Sequence, residues 1–109
     1  MIKFINDNSE KPYILFREKY YAALKKKQSS IEAISISSYS LANSEVDSRF
    51  VNLKYVDDKR FIFFSNYESP KAAAFNSHNQ IAALLYWSSI NIQIRMKAKI
   101  KKTSKEFNQ

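Results

Sequence analysis

The chain contains no glycine and no cysteine, and its 109 residues include a single histidine, His78. Rossmann and P-loop phosphate sites both need glycine where the backbone closes on the ligand, so neither can exist here. Without cysteine, disulfides, thiolate nucleophiles, Cys-ligated zinc and iron–sulfur clusters are excluded together. One histidine cannot build a His-rich zinc site or the metalloprotease helix motif. His78 itself lies in the polar stretch Asn76-Ser77-His78-Asn79 and reads as a solvated loop residue. No run reaches the roughly 20 apolar residues that span a bilayer. The start, Met1-Ile2-Lys3-Phe4-Ile5-Asn6-Asp7-Asn8, turns polar too early for a signal peptide. These absences predict a cytoplasmic protein with no metal and no membrane partner.

What remains is an aromatic, basic chain. Hydrophobic residues make up 45% and aromatic residues 15%, with 7 Tyr and 8 Phe, which is too rich for a disordered segment. Residues 1–109 read as one domain, with no repeat and no composition break. A domain this small buries only about 60–68% of its unfolded surface, so a partner subunit would help it. Net charge is +8, which suits a polyanionic partner or a phosphorylated small molecule. Much of the excess lies in Lys25-Lys26-Lys27 and in the series Lys97, Lys99, Lys101, Lys102, Lys105, and such runs also serve as solvated faces.

Apolar residues at helical spacing, with Pro12 suited to a first turn and lysines to the last, predict a helix over about 12–27. Short β-branched and aromatic segments predict strands over about 31–40, 48–56 and 60–66, the last two joined by a hairpin at Asp57-Asp58-Lys59-Arg60. Ser69-Pro70-Lys71 followed by three alanines predicts a short helix over about 69–77. The unbroken apolar run Ile81-Ala82-Ala83-Leu84-Leu85-Tyr86-Trp87 predicts a strand over about 80–87 buried on both faces. Strict alternation from Ile90 to Lys101 predicts a strand over about 90–102 with one wet or ligand-facing side. The expected architecture is mainly β with peripheral helices: a small antiparallel split β-barrel, with an N-terminal helix and one short helix between strands.

Three places could carry chemistry. At Ser69-Pro70-Lys71, free helix N–H groups, the positive end of the helix dipole and a lysine ammonium would meet, which is a physically sensible phosphate site. Arg49 and Lys54 stand five apart on one strand, so they point to opposite faces unless a bulge intervenes. Gln93 shares a strand side with Arg95, where an amide can read the donor and acceptor edge of a ring.

Taken together, these segments resemble the pyridoxamine 5'-phosphate oxidase-like family of FMN-binding split β-barrels. Arg49-Phe50-Val51-Asn52-Leu53-Lys54 resembles the family's Arg-x-Val-x-Leu-Lys strand. The stretch from Phe63 to Ala72 resembles its Phe-Tyr-Thr-Asn…Ser-Arg-Lys-Ala segment. Trp87 followed by Ile92-Gln93-Ile94-Arg95 resembles its Trp…Arg-Gln-Val-Arg strand, and Pro12-Tyr13-Ile14-Leu15-Phe16 its N-terminal helix. The resemblance implies FMN at the interface of a homodimer, contacted by Arg49, Phe50, Val51, Asn52, Leu53 and Lys54, by Phe64 and Ser65, and by Gln93, with Ser69 and Lys71 holding its phosphate. Lys54 would also face a substrate phosphate.

The departures matter equally. Pro70 stands where the family has a second phosphate-gripping Arg, and Phe64 stands where it has Tyr; both changes should weaken FMN. Full oxidases continue for about as long again, with residues that clamp pyridoxal phosphate. The expectation is therefore an FMN-binding flavoprotein, read first as an FMN-dependent oxidoreductase with its substrate-binding half missing. No residue is expected to act as a catalytic nucleophile, because in such enzymes the cofactor carries the redox chemistry. One alternative is a non-catalytic or degenerate flavin binder. The other, less favoured, is a basic β-domain that stacks nucleic-acid bases on exposed Tyr and Phe.

Overall fold

The structure is a computed structural model, and it describes residues 1–64 and 79–101. The chain runs β1 (Lys3–Phe4), α1 (Lys11–Lys25), β2 (Ala33–Ser40), β3 (Glu45–Asp57), β4 (Arg60–Phe63) and β5 (Gln80–Trp87), then a 3-10 turn at Ser88–Ile90, and ends in β6 (Ile92–Lys99). The strands form one six-stranded sheet in the order β1-β3-β2-β5-β6, with β4 also on β3. Mainly β with a packed helix is the architecture expected. Two features depart from it: β1 runs parallel to β3, with Lys3 opposite Tyr55 and Phe4 opposite Val56, and the sheet does not close among the described residues. A two-residue strand is too short for any periodicity to reveal it. The expected helix over 69–77 lies outside the described residues, as do the end of the strand expected over 60–66 and the end of that expected over 90–102. The last strand begins at Ile92, because Ser88–Ile90 form the 3-10 turn and Asn91 takes a left-handed conformation.

Alternation assigns the sheet two faces. On the inner face, Ile34, Ile36, Leu53, Ala83, Leu85 and Trp87 are buried. Helix α1 packs there through Phe16, Tyr20 and Ala23. Its rings interlock with the sheet's: Phe16 meets Phe61 edge-on at 5.1 Å and Trp87 at 5.5 Å, and Tyr20 meets Trp87 at 6.0 Å. The polar tips are satisfied, since Trp87 Nε1–H donates to the Ile31 carbonyl at 2.9 Å and the Tyr20 hydroxyl accepts from the Ile2 amide at 2.9 Å. Burial pushes the Tyr20 phenol above its ordinary value.

A chain without glycine must turn on other residues. Lys27, Ser30, Ser44, Asp58 and Asn91 all adopt positive φ, between 49° and 58°. At the end of α1, Gln28 N–H reaches the Ala23 carbonyl (3.1 Å) and Lys27 N–H the Leu24 carbonyl (2.9 Å), a Schellman cap with lysine in the left-handed position that glycine usually fills. In the β3–β4 hairpin, Asp58 is the left-handed residue. Asp57 anchors that turn by accepting from Asn6 Nδ2 (2.7 Å) and Arg60 (2.5 Å), and these two donors, Asn6 foremost, hold its carboxyl below the usual range. Among the described residues no helix is long and apolar enough to cross a membrane.

Lys27→Gly should relieve the strained cap and stabilise the protein by about 1 kcal/mol, or roughly 4–8 °C in thermal midpoint. Ala22→Gly, on the exposed side of the same helix, should cost about 1 kcal/mol. Thermal unfolding of the two variants checks the opposed signs.

Candidate functional site

Register decides which of the expected site residues can share a surface, because directly opposed residues of antiparallel strands lie on one face. Arg49 stands opposite Ile36 and Val51 opposite Ile34, so both belong to the inner face with Leu53. Phe50 stands opposite Ser35, and Asn52 opposite Ala33, on the outer face. The Arg49–Lys54 strand therefore divides its side chains between two sides of the sheet. Leu53 is fully buried in the core, which leaves only its backbone for a ligand. Lys54 is half-buried at a β-bulge: Leu53 pairs with Phe63 but Tyr55 pairs with Ile62, so Lys54 is the extra residue. That bulge breaks the alternation that would otherwise set Lys54 against Arg49. Phe64 is half-buried, its ring 6.2 Å from that of Tyr55. Ser65, Ser69 and Lys71 lie outside the described residues.

Arg49 carries the most telling detail. Its Nη1 is buried without a hydrogen-bond partner among the described residues. Leaving such a donor unpaired costs roughly 1–3 kcal/mol, which is tolerated where a ligand supplies the acceptor.

The outer face shows what pattern reading did not anticipate. The run from Ile81 to Trp87 is buried on one side only: Ala83, Leu85 and Trp87 point inward, whereas Leu84 is 36% and Tyr86 57% exposed. Phe50, 76% exposed, lies in a row with Ser35, Leu84 and Arg95, and the next row holds Ser48, Ser37, Ala82 and Lys97. The Ser37 and Ser48 hydroxyls are hydrogen-bonded at 2.7 Å. Between Ser37, Ala82, Leu84, Arg95 and Lys97 lies a depression of about 530 Å³. By alternation no Asp or Glu of β2, of β3 before its bulge, of β5 or of β6 points to this face, so Arg95 and Lys97 give it positive potential. Neither was singled out as a site residue by sequence, although the alternation of β6 had marked a side facing water or a ligand.

Gln93 is exposed on the same face, opposite Tyr86. It stands three strand positions from β3, with β2 and β5 between, which is about 14 Å at roughly 4.8 Å per strand. One protomer therefore does not bring Gln93 and the Arg49–Lys54 strand together.

Solved structures similar to this fold include PhzG from Burkholderia lata in complex with tetrahydrophenazine-1-carboxylic acid, with a TM-score of 0.80 and 19% identity over 92% of this chain and 49% of that one. Another is an FMN-binding protein related to pyridoxamine 5'-phosphate oxidase from Nostoc punctiforme, with a TM-score of 0.67 and 15% identity over 77% of this chain and 45% of that one. Among curated proteins, a pyridoxine/pyridoxamine 5'-phosphate oxidase of Caulobacter vibrioides is 33% identical over 93 residues, 85% of this chain and 41% of its own length. The chain belongs to the pyridoxamine 5'-phosphate oxidase-like family. No family model matches it. It spans less than half the length of the curated pyridoxine/pyridoxamine 5'-phosphate oxidases it matches.

Within a chain of this family, the buried unpaired nitrogen of Arg49 is open to direct test. Arg49→Met keeps the volume and removes the unsatisfied donor, so the ligand-free protein should gain about 1 kcal/mol in stability. Urea unfolding of the flavin-free variant checks this; a loss of similar size would mean that Arg49 has a partner within the fold.

Proposed function

We propose that this chain is an FMN-binding flavoprotein of the pyridoxamine 5'-phosphate oxidase-like family, working as a homodimer with the flavin between its two copies. The observation that carries the reading is the buried, unpaired Arg49 Nη1, in the strand where the family resemblance expects the cofactor. A flavin ring offers carbonyl and ring-nitrogen acceptors of the kind that this donor lacks. The half-buried Lys54 and Phe64 stand at the far end of the same strand and on the chain leaving β4. Ser65, Ser69 and Lys71 follow in sequence as the remaining holders, with Lys71 on the phosphate.

Two features of the sheet favour the dimer. Gln93 is about 14 Å from β3 within one protomer, so a second copy is the source that can present it to the same ring. The outer face, with Phe50, Leu84 and Tyr86 exposed, offers apolar surface for that copy to cover.

Bound FMN would accept a hydride, so the activity favoured is that of an FMN-dependent oxidoreductase on a phosphorylated small molecule. The chain's own residues bind and orient: Arg49, on the inner face, addresses the ring from one copy and Gln93, on the outer face, from the other, with Lys71 and Ser69 on the phosphate and Lys54 on a substrate anion. Pro70 and Phe64, each lacking a group that the family uses, favour weak binding and keep a non-catalytic flavin-binding role as the second reading. The exposed Phe50 and Tyr86 beside Arg95 and Lys97 also meet the needs of nucleic-acid stacking. Affinity of that kind is expected to be weak and steeply salt-dependent, with the proposed dimer covering the face.

Titration of FMN and riboflavin by fluorescence quenching tests the reading. Lys71→Ala should weaken FMN by roughly 10- to 150-fold, the worth of one charge-assisted hydrogen bond, and leave riboflavin nearly unchanged. Arg49→Met should weaken both flavins. Equal losses for the two flavins in Lys71→Ala would show that the phosphate is held elsewhere, and no saturable binding by the unmodified chain would end the proposal.

A further inference from the structure

Strand β6 ends the order of the sheet, and among the described residues nothing pairs with its far edge. The ladder with β5 fixes which backbone groups that edge presents. The Ile100 amide donates to the Asn79 carbonyl at 2.7 Å, and the register then runs unbroken from Lys99 opposite Gln80 to Ile92 opposite Trp87. Along an antiparallel pair, hydrogen-bonded and non-hydrogen-bonded positions alternate. Ala98, Met96, Ile94 and Ile92 therefore direct their N–H and C=O groups to β5, whereas those of Gln93, Arg95, Lys97 and Lys99 point out of the sheet.

The side chains divide in the same way. Those of Arg95, Lys97 and Lys99 stand on the outer face, where they enter no ion pair among the described residues. Ile94 and Met96 lie on the inner face, only partly buried at the border of the core, and Ala98 is exposed. The edge is thus open in its backbone, cationic on one side and apolar on the other, and β6 contains no carboxylate. A second copy of β6 is a poor match for it. Antiparallel pairing of two such edges would join their outward-facing residues and set cation against cation, and like charges directly opposite are destabilising. Lysines on edge strands prevent self-association in this way, without discouraging an acidic strand. An extended segment that alternates acidic and apolar residues fits the edge on every count, with main-chain bonds to β6, carboxylates opposite Arg95 and Lys97, and apolar side chains beside Ile94 and Met96.

We propose that β6 is a strand-addition site for an acidic–apolar segment of a partner polypeptide, bound antiparallel with its acidic residues opposite Arg95 and Lys97. The partner engages the main chain of β6 and these two cations, so the proposal does not rest on flavin binding.

A capped heptapeptide of alternating valine and glutamate, added to the full flavin-free chain and followed by amide hydrogen exchange, tests this. In the free chain the Arg95 and Lys97 amides should exchange fast and those of Ile94 and Met96 slowly. Saturating peptide should slow Arg95 and Lys97 by about tenfold or more, while a valine–lysine peptide leaves them unchanged. N-methylation of the glutamate amides, which face β6, should weaken binding by about tenfold or more, and N-methylation of the valine amides should not. Arg95→Glu with Lys97→Glu should transfer the preference to the valine–lysine peptide; slow exchange of Ile94 and Met96 in that variant reports an intact strand. No added protection at Arg95 and Lys97, equal binding of the two peptides, or equal losses from the two methylations would each overturn the proposal, whatever the flavin titration gives. Slow exchange of Arg95 and Lys97 in the free chain would overturn it as well, because the edge would then already be paired.

Discussion

The indole of Trp87 lies against the rings of Phe16 and Tyr20 while its Nε1–H is held by the Ile31 carbonyl. Helix, sheet and the entry to β2 meet at this one side chain, which is almost wholly buried. Burial of an aromatic side chain with its polar tip satisfied supplies several kcal/mol and a defined geometry, so the seat of α1 on the sheet is set here. Phe61 closes the same cluster from β4, and Ile2 ties the N-terminal segment to the Tyr20 hydroxyl.

Everything else depends on which surfaces that seat leaves uncovered. Helix α1 covers the inner face around Trp87. Nothing described covers the outer face, where alternation obliges Phe50, Leu84 and Tyr86 to stand in solvent once their neighbours are turned inward. That face is positive and partly apolar, and Gln93 lies on it far from β3. A second copy and a phosphorylated flavin answer all three conditions together, which is why the functional proposal is a shared site.

Long periodic segments were legible before the fold was known. The alternation in β6 marked a strand with one polar side, and the spacing of Phe16, Tyr20 and Ala23 marked the helix. The apolar run of β5 suggested burial on both faces, and the structure of the single chain buries one. Hydrophobicity shows that a surface seeks cover but not whether the cover comes from the same chain. Arg49 and Lys54 illustrate a second limit: their relative orientation depends on the bulge between Leu53 and Tyr55, a property of pairing with β4 that no local pattern encodes. The parallel β1 was invisible because two residues have no period. The family itself was legible from Arg49-Phe50-Val51-Asn52-Leu53-Lys54 and from Trp87 with Gln93 and Arg95, because those positions follow one another in the family's order.

The central claim is that the outer face of the sheet is covered by a second copy when flavin is bound. Sedimentation velocity at micromolar protein, followed at the visible flavin absorbance, reads it directly. A yellow particle of twice the 12.8 kDa chain mass, reduced to a monomer with loss of the flavin in a Leu84→Glu and Tyr86→Glu double variant that keeps its fold, is the predicted result. Stoichiometric FMN on a particle that remains at 12.8 kDa would contradict it.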